Sequence, residues 1–447
     1  MRTDFQRDRD RILYSKSFRR LSGKTQVFLT RSNDHVRNRL THSLEVNQIA
    51  STTAKMLGLN DELIEAISLG HDIGHTPFGH VGERTLNLIM NNCICLLDSC
   101  VDLDLDERGF KHNLQAIRIL SELHRIYPYL KGTNLTNFTL YGIAKHSKME
   151  YKSCEHYNNG LCYRKNRIEC LHAAHLSVGF YQKYNRIMKI NGDDIFAWSF
   201  EADVVEYADE ISQRHHDVED AILMNILLNK DIVDKIEECF GECLSASIRR
   251  KLKEISRTND FFGPKISQFL VGMYNNELIN NTRKKLVEFA NYAGIKNRKH
   301  FLSIYKDISP EDAKSIVSYS DEFKAADKCF HSFLRDTILN SHRAQRMDGK
   351  GSYLIERLFK AYYTNPRQLH DSTILSVYNM INNKNETIGS ISKPKLGSYR
   401  NSIASSLSRS DPCFEKKLRR AICDHIAGMT DNFVIEEHSR LYGDGTI

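Results

Sequence analysis

Proline is scarce in this chain, at 7 of 447 residues. The residue that most strongly breaks helix interiors is therefore almost missing, while long runs rich in Leu, Ile, Lys and Glu favour helix. The expected fold class is all-α. No stretch approaches the roughly 18 uninterrupted apolar residues that a membrane-spanning helix needs, and the opening MRTDFQRDRD lacks the apolar run of a signal peptide. The expectation is a soluble protein with no membrane partner. Also missing are a Pro/Ser-rich linker, a low-complexity tract and a repeat of fixed period. The length would allow two or three compact units, but nothing marks where they would join, and one continuous helical body is expected.

Cysteine is present, at 11 residues, but without the pattern of a disulfide framework. An odd number scattered along a chain with no secretory signal reads as reduced thiols, which predicts a cytoplasmic location. The stretch CEHYNNGLCYRKNRIECLH offers Cys154, His156, Cys162, Cys170 and His172. These residue types build zinc sites, yet the paired C-x2-C spacing of a structural site is missing. Cys93, Cys95 and Cys100 read as ordinary semi-buried thiols.

The formal charge of +7 is modest for this size. Its distribution is uneven: eleven Lys/Arg against four Asp fall within residues 1–40, a density suited to a polyphosphate or a nucleic-acid backbone. A solvated helix face is the competing reading for any one of these cations.

The most unusual segment is LGHDIGHTPFGHVGE, which gathers His71, His75 and His80 with Asp72 and Glu83 around Gly and Pro breaks. Upstream, HSLEVNQIASTTAKMLG has Leu44, Val46, Ile49, Ala50, Ala54 and Leu57 in a mostly helical rhythm and stops at Gly58, predicting a helix with His42 at its beginning. A second helix is expected from an N-cap at Asn60 or Asp61 through Ile67, closed by His71-Asp72. A carboxylate beside a histidine at an apolar helix end is costly to bury unless a partner neutralises it, and a divalent cation would do so. Imidazoles and a carboxylate suit Zn, Fe, Mn or Ni, and open water positions leave room for Mn or Mg. After the doublet, Thr76-Pro77 breaks the chain, so His75 and His80 flank a turn, and Glu83 follows His80 at i+3 on a new helix.

These residues resemble the HD-domain metal phosphohydrolases, and among them the bacterial deoxyguanosine triphosphate triphosphohydrolases and related dNTPases. The H…HD…D pattern matches His42 in RNRLTHSLEV, His71-Asp72, and Asp209 in EADVVEYADEISQRHHDVEDA. HDIGHTPFGHVGE, RDRDRILYSKSFRRLSGKTQVF and DHIAGMTDNFVIEEHSRLYG carry the likeness across nearly the whole chain.

The resemblance implies an HD-type helical fold with a helical C-terminal extension. Residues 1–225 would hold the basic region and catalytic core, and 226–447 would complete the nucleotide pocket and the subunit contacts. It implies His42, His71, Asp72 and Asp209 as ligands of a divalent metal. The activity implied is hydrolysis of dGTP or another dNTP to deoxynucleoside and tripolyphosphate, by attack at the α-phosphorus. By similarity His80 with Glu83 is an acid/base pair, the carboxylate fixing the imidazole's tautomer, and His75 a phosphate contact with a catalytic share. His112 matches a histidine that only some members carry, and its alternative is a helix-start residue bonded to a backbone carbonyl. Arg39 resembles a phosphate-binding arginine and Gln26 a glutamine that bonds the 3′-hydroxyl. Asp217 matches a sugar-contacting aspartate, and Gln213 stands where the family usually has a tyrosine. His215 and His216 read as structural. The implied partners are identical subunits in a closed homo-oligomer, with a hexamer as one size, and a nucleotide or single-stranded nucleic-acid activator. Two other readings use the same residues: an HD phosphohydrolase acting on another phosphoester, or a nucleotide or single-stranded nucleic-acid sensor. Beyond residue 225 no further catalytic cluster is visible, and RAQRMDGKGSY (343–353) reads as a basic turn.

Overall fold

A computed structural model of the chain describes all residues except 1, 27–36, 95, 97–106, 125, 128–129, 147–149, 152–156, 159–160, 163–174, 177, 191–195, 258–261, 383, 385, 409–410 and 444–447. The described residues form twenty α-helices. Beside them are two small ladders: Glu150–Tyr151 pairs in parallel with His175–Leu176, and Tyr157–Asn158 antiparallel with Leu161–Cys162. The all-α expectation holds. Of the cysteine-rich stretch, Cys154, His156, Cys170 and His172 lie outside the described residues, as do Cys95 and Cys100.

Local chemistry sets the helices that carry the site. Arg39–Leu57 begins where the Asn38 side chain accepts from the Thr41 N–H at 3.0 Å. It ends at Gly58, whose φ of 72° is the left-handed conformation glycine adopts without strain. Asp61–Gly70 begins with Asn60 accepting from the Leu63 N–H at 3.0 Å, and its acidic first turn suits the positive end of the helix dipole. Leu63, Ile64 and Ile67 are buried on it, each contributing on the order of 1.5–3 kcal/mol.

Two apolar cores result. The first packs Arg39–Leu57 and Asp61–Gly70 against Phe200–Leu223, with Phe262–Tyr292 behind. The second packs Gly79–Met90 against His342–Thr364 and Pro412–Ala427. Each core draws on residues from both sides of position 225. The chain passes from the first core to the second between His71 and Gly79, so the histidine-rich turn bridges them.

Two side chains stitch this crossing. Lys24 is buried, and its Nζ donates to the His75 carbonyl and, at 2.9 Å, to that of Ala427. Asp431, in the C-terminal motif, accepts from the Thr25 N–H at 2.8 Å and from the Phe78 N–H at 2.9 Å.

Two expectations need correction. Residues 343–353 are not a turn but part of the His342–Thr364 helix, capped by Ser341. Its glycines do not break it, because Gly351 packs against Phe78, where a Cβ would come within 2.9 Å of the ring. Nor are all cysteines free thiols: Cys239 and Cys329 are joined between Asn229–Phe240 and Asp321–Leu339 with Cα atoms 5.8 Å apart, while Cys243, Cys413 and Cys423 are free. Several cations of the basic N-terminal region are ion-paired within the fold. Arg9 pairs with Glu65 at 2.7 Å, Arg2 with Asp10 at 2.7 Å and Arg37 with Glu219 at 2.7 Å.

Candidate metal and phosphoester site

Three helices deliver the H…HD…D residues to one place. His42 lies in the second turn of Arg39–Leu57, His71-Asp72 follow Asp61–Gly70, and Asp209 projects from Phe200–Leu223. His42, His71 and Asp72 offer ligand atoms within 4.8 Å of one another. Asp209 Oδ1 lies 2.9 Å from His42 Nε2 and 3.9 Å from His71 Nε2. All four side chains are buried.

The donor set fits a divalent cation. His71 Nδ1 donates to the Ser68 carbonyl at 2.6 Å, which fixes the tautomer and turns a lone pair on Nε2 into the cluster. That Nε2 is buried with no hydrogen-bond partner among the described residues, a costly arrangement that a metal would satisfy. His42 is backed in the same way, its Nδ1 lying 3.2 Å from Ser212 Oγ. Burial alone would raise Asp72, yet His75, Arg39 and His71 hold it well below the usual carboxylate range. Asp209 is likewise held down against burial, by the His42 hydrogen bond and by His71. Both carboxylates are thus ionised, the form that binds cations.

A second cluster adjoins the first. His75, His80, Glu83 and His112 place ligand-type atoms within 4.8 Å of one another, and His75 Nδ1 sits 2.8 Å from Asp72 Oδ1, joining the two clusters. His75 stacks on His112 with centroids 3.7 Å apart. Burial and Arg39 push His75 well below the ordinary imidazole range. His80 is the open member of the set, at the mouth of the cluster. The protein packed around its ring lowers its pKa to about 4 against the pull of Glu83.

Glu83 departs from the expected pairing. It lies beside His80, but its hydrogen bonds go elsewhere. Oε2 accepts from the His112 Nδ1–H and from the His112 backbone N–H at 3.2 Å, and Oε1 accepts from Lys111 Nζ at 2.7 Å. The reason is positional, since Glu83 faces the start of His112–Arg118, where a free backbone N–H and a lysine both point at it. The helix-start alternative for His112 also changes, because its partner is this carboxylate and not a backbone carbonyl. Lys111 and His112 overcome the cost of burial and keep Glu83 well below its ordinary pKa.

His146 was not visible in the sequence. It is buried at the end of Asn137–Lys145, with Nδ1 donating to the Ile143 carbonyl at 2.6 Å and Nε2 3.2 Å from His112 Nε2. Glu83, His112, His146 and the Ile143 carbonyl therefore form a chain with acceptors at both ends. Hydrogen bonds at all three links require one proton more than two neutral imidazoles hold. Burial works against that extra charge and lowers His146 to about 3. His216 takes a comparable place behind His42: the two Nδ1 atoms are 3.4 Å apart, and His216 Nε2 contacts Glu45. No local motif announces Glu45 or His146, since each is supplied by a helix remote in sequence from its partner.

The expected substrate contacts lie around the same cluster. Arg39 is buried, with Nη1 2.9 Å from Asp72 Oδ2 and Nε without a partner among the described residues. Gln26 is half-buried, and its Oε1 also lacks a partner among the described residues. Both approach Gly79: a Cβ there would lie 3.3 Å from Arg39 Nη2 and 3.5 Å from the Gln26 carbonyl. Gln213 donates to Asp209 Oδ1 at 3.0 Å. Asp217 is half-buried, and burial pushes its carboxyl up to about 6.

Comparison with known proteins agrees with this geometry. A deoxyguanosinetriphosphate triphosphohydrolase-like protein of Bordetella pertussis is 30% identical over 446 residues, covering 99% of this chain and 91% of its own. One from Pelagibacter ubique is 33% identical over 435 residues, covering 97% and 92%. The chain belongs to this family. Residues 39–169 match the HD domain, which includes His42, His71, Asp72 and the second histidine cluster. Residues 317–383 and 405–440 match the phosphohydrolase-associated domain, which includes Asp431. A relative from Geobacter sulfurreducens is 29% identical over 448 residues, covering 99% of this chain and 89% of its own. The chain is accordingly an HD-domain phosphohydrolase with residues able to hold a divalent metal. Among the described residues no helix is long and apolar enough to cross a membrane.

Proposed function

We propose that the protein hydrolyses a deoxynucleoside triphosphate, dGTP first, to deoxynucleoside and tripolyphosphate. The observation that carries this reading is the junction of the two clusters at Asp72 and His75, which sets proton-handling imidazoles directly beside a cation site. Relatives named as deoxyguanosinetriphosphate triphosphohydrolase-like across nearly the full length support the substrate class.

His42, His71, Asp72 and Asp209 would hold the cation. When bound, a divalent ion polarises a phosphoryl oxygen and lowers the pKa of water. The rest of the chemistry falls to side chains. Arg39, whose guanidinium has an unused Nε–H, can exchange its bond to Asp72 for a grip on phosphate. Cleavage between the α-phosphorus and the sugar 5′-oxygen leaves an alkoxide that needs a proton. His80, open to solvent, would take up a proton as the triphosphate's negative charge arrives and pass it on. Glu83 acts by holding His112 in one tautomer, and His75 is positioned by Lys24 and by the His112 ring.

Product analysis tests the reading. Each dNTP, alone and in mixtures, is incubated with Mn or Mg, and tripolyphosphate with free deoxynucleoside is expected. Release of pyrophosphate or monophosphate as the first product would reassign the reaction.

A further inference from the structure

The two helices that carry His42 and Asp209 also carry the groups behind them. Glu45 follows His42 at i+3 on Arg39–Leu57, and Ser212 and His216 follow Asp209 at i+3 and i+7 on Phe200–Leu223. Each helix face therefore holds a candidate ligand together with its support. His42 turns Nε2 towards Asp209 Oδ1, 2.9 Å away, and Nδ1 towards Ser212 Oγ at 3.2 Å and His216 Nδ1 at 3.4 Å. His216 is fully buried, and its Nε2 contacts Glu45 Oε2. The other oxygen of Glu45, Oε1, accepts from Arg37 Nε at 3.2 Å.

Proton accounting assigns a role to each group in this row. A carboxylate only accepts, so His216 Nε2 carries the proton that faces Glu45 and leaves a lone pair on Nδ1. His42 Nδ1 then donates to that lone pair, which puts the lone pair of His42 on Nε2, the nitrogen facing the cation site. With a cation held at Nε2 and Asp209, two neutral imidazoles satisfy every link. With a proton there instead, acceptors close the row at both ends and one extra proton is needed, as in the row from Glu83 through His112 and His146.

We propose that Glu45, acting through His216, is a positioning residue that sets how tightly His42 holds the divalent cation. The inference rests on the cation site proposed above. A carboxylate at the far end of a hydrogen-bonded imidazole fixes the tautomer and raises the basicity of the ligating nitrogen, and losing such an outer partner typically costs about 10–100-fold in metal affinity. Arg37 makes Glu45→Gln informative, because an amide has one oxygen where the carboxylate has two. With that oxygen held by the Arg37 Nε–H, the NH2 group faces His216 Nε2 and drives the His216 proton to Nδ1, head to head with the N–H of His42. Ser212 Oγ remains to accept from His42, so binding is weakened and not abolished.

Mn²⁺ binding to the full-length chain, without nucleotide, is titrated by the electron paramagnetic resonance signal of the free ion. Thermal melting of each metal-free variant checks folding. The Glu45 side chain is 37% exposed, so its substitution empties no core. Glu45→Gln should weaken binding about 10–100-fold with melting unchanged, and Glu45→Asp, which keeps the charge, should recover part of the loss. In a His216→Ala background Glu45→Gln should add nothing further; should His216→Ala melt early, the Gln and Asp variants of Glu45 still decide. Wild-type affinity in Glu45→Gln overturns the proposal, as does an undiminished further loss in the His216→Ala background, where the charge would be acting through space. Two Mn²⁺ per chain falling to one in Glu45→Gln would also overturn it, by giving Glu45, His215 and His216 a cation of their own. His71→Ala separates this inference from the reading beneath it. Wild-type Mn²⁺ binding in His71→Ala refutes the cation site itself, whereas its loss beside an unaffected Glu45→Gln refutes the role of Glu45 alone.

Discussion

Glu83 accepts from a lysine, an imidazole and a backbone N–H at once, so its charge is what these three neighbours are arranged around. Glu83→Gln keeps an acceptor but removes the charge that fixes the His112 tautomer. Turnover is expected to fall by about 10²–10⁴, with bound metal unchanged by elemental analysis. Loss of metal along with activity would make Glu83 part of the cation site. His71→Ala should behave oppositely and lose bound metal first, because its free Nε2 has no other role in the fold. Lys24 offers a prediction of another kind. Burial and Arg20 lower its folded-state pKa to about 7 from 10.5, so between these values the unfolded chain carries a proton that the folded one lacks. Stability should therefore rise with pH across that window, with a slope of up to about 1.4 kcal/mol per pH unit from this group. Denaturant melts of the wild type against Lys24→Met read it directly, and an unchanged slope in the variant would contradict it. At this scale the histidines of 71–83 were legible because their spacing is local. His146 and Glu45 were not, because only tertiary packing brings them to His112 and His216.

The decisive element is the turn from His71 to Gly79. A Cβ on Gly74 would come within 1.9 Å of the His112 carbonyl, so the turn and the His112 helix touch backbone to backbone. Phe78 then holds a φ of 59°, a conformation unfavourable for a bulky residue, and its N–H is tied to Asp431. Asp431→Ala removes the acceptor from two buried N–H groups and should cost about 1–3 kcal/mol for each donor left unsatisfied. A lowered denaturation midpoint with reduced turnover is expected, and unchanged values of both would show that the C-terminal helix does not support the turn. Gly58 and Asn60 marked the ends of the helices before this turn in the sequence itself, since capping chemistry is local. The straight run through residues 343–353 was hidden because two glycines and three cations look like a loop until Gly351 is seen against Phe78.

Over the whole molecule, low proline and helical periodicity announced the all-α class, but they carry no information on which helices share a core. The chain crosses from one core to the other through its histidine-rich turn, and residues 24–25 and 427–431 lock that crossing from both ends of the sequence. This gives the N- and C-terminal motifs a physical role: they hold the imidazoles of the second cluster against the ionised carboxylates of the first. The central claim is that this junction directs water to the α-phosphorus and a proton to the sugar oxygen. It is tested most directly by running the reaction in heavy-oxygen water and locating the label by mass spectrometry. One labelled oxygen in tripolyphosphate and none in the deoxynucleoside is the predicted result. Label in the 5′-hydroxyl, or in released pyrophosphate or monophosphate, would contradict it.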